Sequence, residues 1–273
     1  MKVGFIGTGT MGSILIDAFI RSGALEPQQI VASNRTKPKL QQLSNCYPGL
    51  KIACDNIEVA SSSQILFICV KPLEFKKVID DIRSAVTNEQ IVISITSPVQ
   101  IKHLESRLSC KIAKVIPSIT NSARSGASLC IYGSRITRED RLLIEQLISH
   151  ISTPIVVRET HTRITSDISS CGPAFLAFFL EKWIDAAVEM TGIERSSASF
   201  LAAEMLLGTG KLLTEGGYSL EELQRRVTVP GGITAEGLSL LSNNIGDVFH
   251  QLIRVTHDKY EEDIVKINDL FSP

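Results

Sequence analysis

The sequence predicts an α/β protein in which a doubly wound, mostly parallel sheet fills the N-terminal half and an all-helical domain follows. Three observations predict this. Short apolar runs alternate with helical stretches through the first half, a spacing typical of βαβ units. The runs are apolar at consecutive positions, as strands are when helices cover both faces of their sheet. After about Val157 the strand pattern disappears and only helical stretches remain.

Seven apolar runs predict the strands, at residues 2–6, 30–32, 65–70, 91–95, 111–115, 128–131 and 154–157. The stretches between them predict helices over residues 11–22, 37–43, 73–85, 100–108 and 138–149. We therefore assign residues 1–157 to the sheet domain and residues 158–273 to the helical domain.

The second half predicts helices from residue 162 to 271, interrupted at Gly192, at Gly216-Gly217 and at residues 230–232. Residues 174–180 are apolar on every side, so this helix is expected to be buried all round. The second half is too small to supply such a core. We therefore expect a second copy of the chain to cover the helix, giving a homodimer.

Composition and charge exclude several classes of function. The chain has 273 residues, 44% of them hydrophobic, and a formal net charge of −1. A net charge this close to zero argues against binding of nucleic acid or of an anionic membrane through the overall charge of the protein. The start of the chain has no signal-peptide pattern, and the six scattered cysteines predict free thiols rather than disulfides or a metal site. We expect a cytoplasmic protein.

A Gly-x-Gly-x-x-Gly motif follows the first predicted strand and opens the first predicted helix. Its residues are Gly7, Thr8, Gly9, Thr10, Met11 and Gly12. Gly7 allows the tight turn, Gly9 lets the backbone approach a pyrophosphate, and Gly12 lets helix and strand pack closely. The alternative is a strand-to-helix turn that merely needs glycines. The context favours a dinucleotide at the helix N-terminus and hence a Rossmann domain.

The end of the second strand predicts which dinucleotide is bound. An acid there would accept from the ribose hydroxyls of NAD(H), whereas this chain has Ser33, Asn34, Arg35 and Thr36. Arg35 can pair with a 2′-phosphate, and Ser33, Asn34 and Thr36 can donate hydrogen bonds to the same phosphate. The sequence thus favours NADP(H) over NAD(H); the alternative is a polar loop that happens to contain an arginine.

A third segment that is expected to contact the dinucleotide follows the strand predicted at 65–70. Ligands of a doubly wound sheet lie beyond the carboxyl ends of its strands. Val70, Lys71 and Pro72 are therefore expected to border the ribose and the nicotinamide. Pro72 also suits the first turn of a following helix.

Several segments together resemble the pyrroline-5-carboxylate reductase family over essentially the whole chain. They are residues 7–12, Ser33-Asn34-Arg35, Asp55-Asn56, Val70-Lys71-Pro72, residues 169–174 and residues 230–234. Residues 116–121 are also similar to the late-competence, ComER-type paralogues of that family. The resemblance implies NAD(P)H-dependent reduction of 1-pyrroline-5-carboxylate to proline. It also implies a Rossmann domain joined to a helical domain that dimerises, with larger rings in some members.

The resemblance assigns roles where the residues match. Asn56 corresponds to a cofactor-binding asparagine. Gly231 and Gly232 correspond to the helix N-terminus that holds the substrate carboxylate, and Thr234 to the hydroxyl near the ring nitrogen. Thr234 is the expected catalytic residue; from spacing alone it could equally be an ordinary helix cap.

The substrate half departs from the family pattern at several positions. Val229 replaces a serine expected to help bind the carboxylate, and it forms part of the predicted substrate site. Only Pro117 remains of the family loop at 116–120, Cys171 lies in the altered segment 169–174, and Arg163 stands where an acid is usual. The cofactor half thus matches better than the substrate half.

Three functions remain open on these residues. The first is an NADPH-dependent imine reductase acting on 1-pyrroline-5-carboxylate or a close cyclic imine. The second is an NADP-binding paralogue with a regulatory role and little turnover, which Val229 and the altered loop favour. The third, a β-hydroxyacid dehydrogenase, needs a lysine a turn after the glycine segment, and Lys182 is too far along the chain. The isolated histidines and Cys171 are interpreted as structural.

Overall fold

The computed structural model describes residues 1–272, which divide into two compact units. The first unit contains Met1–Pro173 together with the end of the chain from Thr256 onward. The second unit is Ala174–Val255. Every strand of the described chain belongs to the first unit, and the second unit is helical.

The first unit is built on one eight-stranded sheet in the order β3-β2-β1-β4-β5-β6-β7-β8. The strands are β1 (Val3–Ile6), β2 (Ile30–Ser33), β3 (Lys51–Ile52), β4 (Ile65–Ile68), β5 (Ile91–Ser94), β6 (Lys111–Ile116), β7 (Ala127–Tyr132) and β8 (Thr153–Val156). Neighbouring strands are parallel except for the antiparallel pair β6 and β7. The predicted doubly wound, mostly parallel sheet is confirmed.

Helices cover both faces of this sheet. They are α1 (Thr10–Arg21), α2 (Lys37–Cys46), α3 (Asn56–Ser62), α4 (Phe75–Ile82), α5 (Ile101–Glu105), α6 (Arg138–Ser149), α7 (Thr162–Ser166) and the end of α12 (Val248–Phe271). Each face has its own apolar core. Phe5 and Phe67 stack on one face with ring centroids 5.1 Å apart. Because both faces are buried, the central strands are apolar at every position.

Two elements of the sheet domain escaped prediction, and β4 is two residues shorter than predicted. Strand β3 has two exposed residues, and α3 is a short, serine-rich helix. Its signal was the pair Asp55 and Glu58: the Asp55 side chain accepts from the Glu58 N–H, and the Glu58 carboxylate accepts from the Cys54 N–H. Strand β4 ends at Ile68 rather than at residue 70, because its partner β1 ends at Ile6, which is paired with Ile68.

The second unit contains most of α8 (Gly172–Thr191), α9 (Arg195–Thr214), α10 (Leu220–Val227), α11 (Ile233–Ile245) and the start of α12. The helices are interrupted where glycines were expected to interrupt them. Gly192, Gly217 and Gly231 have φ angles of 72°, 70° and 71°, a region that favours glycine. The boundary after residue 157 stays a prediction: β8 ends at Val156, and the compact sheet unit continues to Pro173.

The long apolar helix α8 is not buried within one chain, as expected if a second copy of the chain covers residues 174–180. None of its residues is buried. Phe178, Phe179 and Trp183 are among its large exposed side chains. The apolar composition was interpreted correctly as a demand for burial, but a single copy of the chain does not meet that demand.

Two further findings concern thiols and membranes. All six cysteines lie in the described chain and are free thiols. Within residues 1–272, no three His, Cys, Asp or Glu side chains are grouped as a metal ion would need. No helix in the same range has the length and apolar composition to cross a bilayer.

Candidate cofactor site and substrate turn

The glycine loop between β1 and α1 has the geometry that the motif predicts at its first and last glycines. Gly7 has φ of 96°, and a Cβ there would lie 2.6 Å from the Cys69 carbonyl oxygen. A Cβ on Gly12 would lie 2.2 Å from the Gly7 carbonyl oxygen. Side chains at these positions would push α1 away from β1 and β4. Both glycines are therefore required by the fold itself.

Gly9 differs from the other two glycines of the motif, because no contact with the described residues requires it to be glycine. It caps the N-terminus of α1 with φ of −70°, and no side chain bonds the first turn of the helix. A Cβ on Gly9 would meet no atom of residues 1–272 within 4 Å. The first-turn N–H groups of a helix lack intrahelical partners and attract anions. The open space at Gly9 thus fits a pyrophosphate, whose approach a side chain would obstruct.

Buried polar atoms without a protein partner mark the same edge of the sheet. Within residues 1–272, three such atoms lie just beyond strand ends: the hydroxyls of Thr8 after β1, Ser97 after β5 and Thr120 after β6. Buried polar groups normally have partners, so unpaired ones point to missing ligands or waters. This edge is where a doubly wound sheet binds its ligand.

The end of β2 places Ser33 and Asn56 side by side. The Ser33 hydroxyl donates to Asn56 Oδ1 over 2.8 Å, and Asn56 Nδ2 donates to Asp81 over 3.1 Å. Since a carboxylate only accepts, Asp81 fixes the orientation of the amide. One N–H of Asn56 remains for a ligand. Asp81 lies on α4 and was not predicted, because nothing in its local sequence distinguishes it from a solvated helix residue.

Arg35 lies in the exposed loop after β2, as the sequence predicted. Its side chain is 83% exposed, and its Nη1 lies 3.0 and 3.2 Å from the two carboxylate oxygens of Glu74. The neighbouring Asn34 amide donates to the Thr36 carbonyl, and Thr36 caps α2 without a side-chain bond. A cation is thus available where a 2′-phosphate was predicted, and Glu74 is a partner that sequence reasoning missed.

The segment after β4 borders the glycine loop. The Val70 side chain reaches to 3.1 Å from a Cβ built on Gly7. Lys71 is exposed, and Pro72 opens a short 3-10 turn, as expected of a proline in the first turn of a helix. Cys69 lies beside Gly12, and burial raises the pKa of its thiol far above the usual value. The thiol is therefore neutral and adds no negative charge beside the glycine loop.

Hydrogen bonds join the two segments that depart from the family pattern, residues 116–121 and residues 169–171. The Ser118 hydroxyl donates to the Ser169 carbonyl over 3.0 Å, and the Ser170 hydroxyl donates to the Pro117 carbonyl over 2.9 Å. These two bonds fasten the loop after β6 to the π-helical turn Asp167–Cys171. The departures at 116–121 and at 169–171 thus belong to one local arrangement.

Arg163 and Asp167 form a largely buried ion pair at 2.8 Å. Arg163 also contacts the Cys171 sulfur at 3.2 Å, and the Thr256 hydroxyl donates to Asp167. These contacts give Arg163 a structural role.

His103 also has a structural role. It is buried, it is hydrogen-bonded to Asn268, and it stacks on Phe271. Burial lowers the pKa of its imidazole.

The second unit holds the predicted substrate turn. The Gly232 N–H donates to the Val229 carbonyl over 2.9 Å, and Gly232 caps α11 without a side-chain bond. Thr234 is the second residue of α11 and is exposed. The alternative that Thr234 caps this helix is therefore wrong, and its hydroxyl is open to solvent. Val229 is 64% exposed, and its Cγ2 lies 2.6 Å from a Cβ built on Gly232.

Comparisons with known proteins agree with this arrangement. Residues 159–263 match the family model described as pyrroline-5-carboxylate reductase dimerisation. Residues 2–98 match the model described as NADP oxidoreductase, coenzyme F420-dependent. Pyrroline-5-carboxylate reductase from Methanosarcina acetivorans is 34% identical over 88% of this chain and 89% of its own.

The chain belongs to the pyrroline-5-carboxylate reductase family. ComE operon protein 4 from Bacillus subtilis, at 42% identity over 99% of both chains, is a nearer relative than that reductase. A solved pyrroline-5-carboxylate reductase from Coxiella burnetii is 25% identical and has a TM-score of 0.86 over 96% of this chain and 98% of its own. The Plasmodium falciparum enzyme, solved with NADP bound, shares the fold with a TM-score of 0.82 at 24% identity, over 100% and 98% of the two chains.

Proposed function

We propose that this family member is an NADPH-dependent oxidoreductase that reduces a cyclic imine, with 1-pyrroline-5-carboxylate to L-proline as the leading reaction. The observation that carries the proposal is Gly9: the fold does not need a glycine there, whereas a bound pyrophosphate does. Membership of the reductase family supports the reaction type. The thiols fit our expectation of a cytoplasmic enzyme.

The proposed cofactor site comprises the glycine loop, the end of β2 with Asn56, and the segment after β4. Its residues are Gly7, Thr8, Gly9, Thr10, Met11, Gly12, Ser33, Asn34, Arg35, Thr36, Asn56, Val70, Lys71 and Pro72. A bound nicotinamide supplies the hydride. The protein's own tasks are to bind the dinucleotide by its phosphates and to orient the substrate.

We assign substrate binding to the turn before α11. The first-turn N–H groups of α11 follow Gly231 and Gly232 and suit a carboxylate. The exposed Thr234 hydroxyl can bond the ring nitrogen of the imine. A protonated C=N bond is a good hydride acceptor, so orientation supplies most of the acceleration. Val229 offers no hydrogen bond to the carboxylate.

We further propose a homodimer formed through the helical unit. The dimerisation model covers residues 159–263, and α8 exposes large apolar side chains. An open apolar groove between α8 and α9 adds to this surface; its lining includes Leu180, Trp183 and Leu201. Apolar patches of this extent mark interaction sites.

Arg35→Ala is expected to weaken NADPH binding about ten- to a hundred-fold and to leave NADH binding nearly unchanged. The reason is that one charge-assisted bond contributes about 1.5–3 kcal/mol, and only NADPH carries the 2′-phosphate. Fluorescence titration of each reduced cofactor measures both affinities. Lys102→Ala, an exposed cation on α5, is the matched control. Equal losses for NADPH and NADH would contradict the assignment of Arg35.

A second function is favoured by one observation, the loss of the serine at Val229 in a chain similar to ComE operon protein 4. In that case the protein binds NADPH and acts as a regulator with little turnover. Oxidation of NADPH in the presence of 1-pyrroline-5-carboxylate separates the two. Measurable turnover supports the reductase, whereas NADPH binding without turnover supports the regulator.

Val229→Ser is expected to lower the KM for 1-pyrroline-5-carboxylate about ten-fold. The added hydroxyl restores a hydrogen bond to the carboxylate, which contributes about 1.5 kcal/mol. Val229→Thr keeps the branched shape and adds the same group, so it should act in the same direction, whereas Val229→Ala should not lower KM. A KM unchanged in both hydroxyl variants would place the carboxylate elsewhere.

A further inference from the structure

The ion pair between Arg35 and Glu74 joins two segments of the proposed cofactor site. Glu74 ends the 3-10 turn Pro72–Glu74 that follows Lys71, and its N–H donates to the Lys71 carbonyl over 2.9 Å. This turn holds Glu74 just beyond the carboxyl end of β4. From there its carboxylate reaches Arg35, 39 residues earlier in the chain, beyond β2.

The contact uses only part of the guanidinium. Both oxygens of Glu74 lie against the same nitrogen, Nη1, at 3.0 and 3.2 Å. Within residues 1–272, Nη2 and Nε of Arg35 have no hydrogen-bond partner, and Lys37 and Lys71 have no ion-pair partner. Glu74 is therefore the acid that directly faces the cation assigned to the 2′-phosphate.

We infer that Glu74 competes with the 2′-phosphate of NADPH for Arg35 and thereby narrows the preference for NADPH over NADH. This inference rests on the proposed function, since it concerns the same cofactor site. The competition follows from charge. A phosphate on Arg35 must either displace the carboxylate from Nη1 or share the guanidinium with it, and in both cases the two anions repel.

The same carboxylate has the opposite effect on NADH. Without the 2′-phosphate, a ribose hydroxyl can donate to an acid, which is how acids beyond β2 favour NAD in Rossmann domains. Glu74 comes from a different strand but presents the same group beside Arg35. It therefore disfavours one cofactor and offers a bond to the other.

The test compares Glu74→Gln with the wild-type protein in titrations with NADPH and with NADH. Glutamine keeps the length of the side chain and removes its charge. We expect NADPH to bind about five-fold more tightly and NADH about two-fold more weakly. Glu89→Gln is the matched control, since Glu89 is exposed in the turn before β5, at the opposite edge of the sheet, and should change neither affinity.

Salt and a double variant sharpen the test. The gain in NADPH affinity should shrink at about 0.5 M salt, because exposed charges are screened. In an Arg35→Ala background, Glu74→Gln should favour NADPH less than it does in the wild-type background, because the competition for the arginine is gone and only the repulsion between the two anions remains. A wild type that binds neither dinucleotide would overturn both this inference and the proposed function. A wild type that binds NADPH, with an unchanged or reduced preference in Glu74→Gln, would overturn the inference alone.

Discussion

Gly9→Ala is expected to weaken dinucleotide binding about a hundred-fold or more while leaving the free energy of unfolding essentially unchanged. Alanine adopts φ of −70° without strain, and its Cβ would meet no atom of the described residues within 4 Å. The methyl group would instead occupy the space that a pyrophosphate needs in front of α1. A displacement of the phosphates from the helix N-terminus should cost about 3 kcal/mol or more, equivalent to about a hundred-fold in affinity.

Gly12→Ala is the matched control, because it should lower the stability of the fold, which Gly9→Ala should leave unchanged. Its Cβ would lie 2.2 Å from the Gly7 carbonyl oxygen and 3.2 Å from Cys69 Cβ, so α1 must move. Overpacking of this kind costs about 1–3 kcal/mol. Thermal unfolding should therefore show a lower Tm for Gly12→Ala and a wild-type Tm for Gly9→Ala. If Gly9→Ala binds NADPH as the wild type does, the pyrophosphate does not lie at this loop.

These two glycines show what local sequence can predict. The turn, the close packing of helix on strand, and the open approach are all set within six residues and their immediate strand neighbours. The same holds for the central strands, whose apolar runs follow from burial on both faces. Short-range rules were enough for the glycine loop and for every strand of the sheet except β3, but they missed α3.

The contacts that sequence reasoning missed join residues far apart in the chain. Asp81 bonds Asn56 across 25 residues, and Glu74 bonds Arg35 across 39. Each acid lies in an ordinary polar segment, so only the tertiary arrangement of β2, α3 and α4 reveals its partner. The bond from the Ser118 hydroxyl to the Ser169 carbonyl is of the same kind: residue 118 could be recognised as a departure from the family pattern, but its partner 51 residues along the chain could not.

The apolar composition of α8 predicts a covered surface, and the small size of the second half predicts that another copy of the chain covers it. In the structure the chain leaves Phe178 59% exposed and Trp183 64% exposed, and on α9 it leaves Phe200 67% exposed. Burying one large aromatic or aliphatic side chain contributes about 1.5–3 kcal/mol, so a partner that covers many of them gains a large free energy.

Phe178→Asp together with Trp183→Asp is therefore expected to convert a dimer into a monomer. Light scattering should give twice the chain mass of 29.8 kDa for the wild type and the single chain mass for the variant. Two carboxylates in a closely packed interface would have to be desolvated without partners, which outweighs the remaining apolar contact. Leu142→Asp is the control: Leu142 is 58% exposed on α6 of the sheet unit, outside the proposed interface, and its variant should remain dimeric.

The loss of the dimer must be distinguished from the loss of the fold. Because the helical unit of an obligate dimer can unfold when its partner is removed, circular dichroism and NADPH titration accompany the mass measurement. The glycine loop and Arg35 belong to the sheet unit, so NADPH binding should survive in the monomer. A variant that stays dimeric would show that α8 is not the interface, and a monomeric wild type would remove the homodimer proposal altogether.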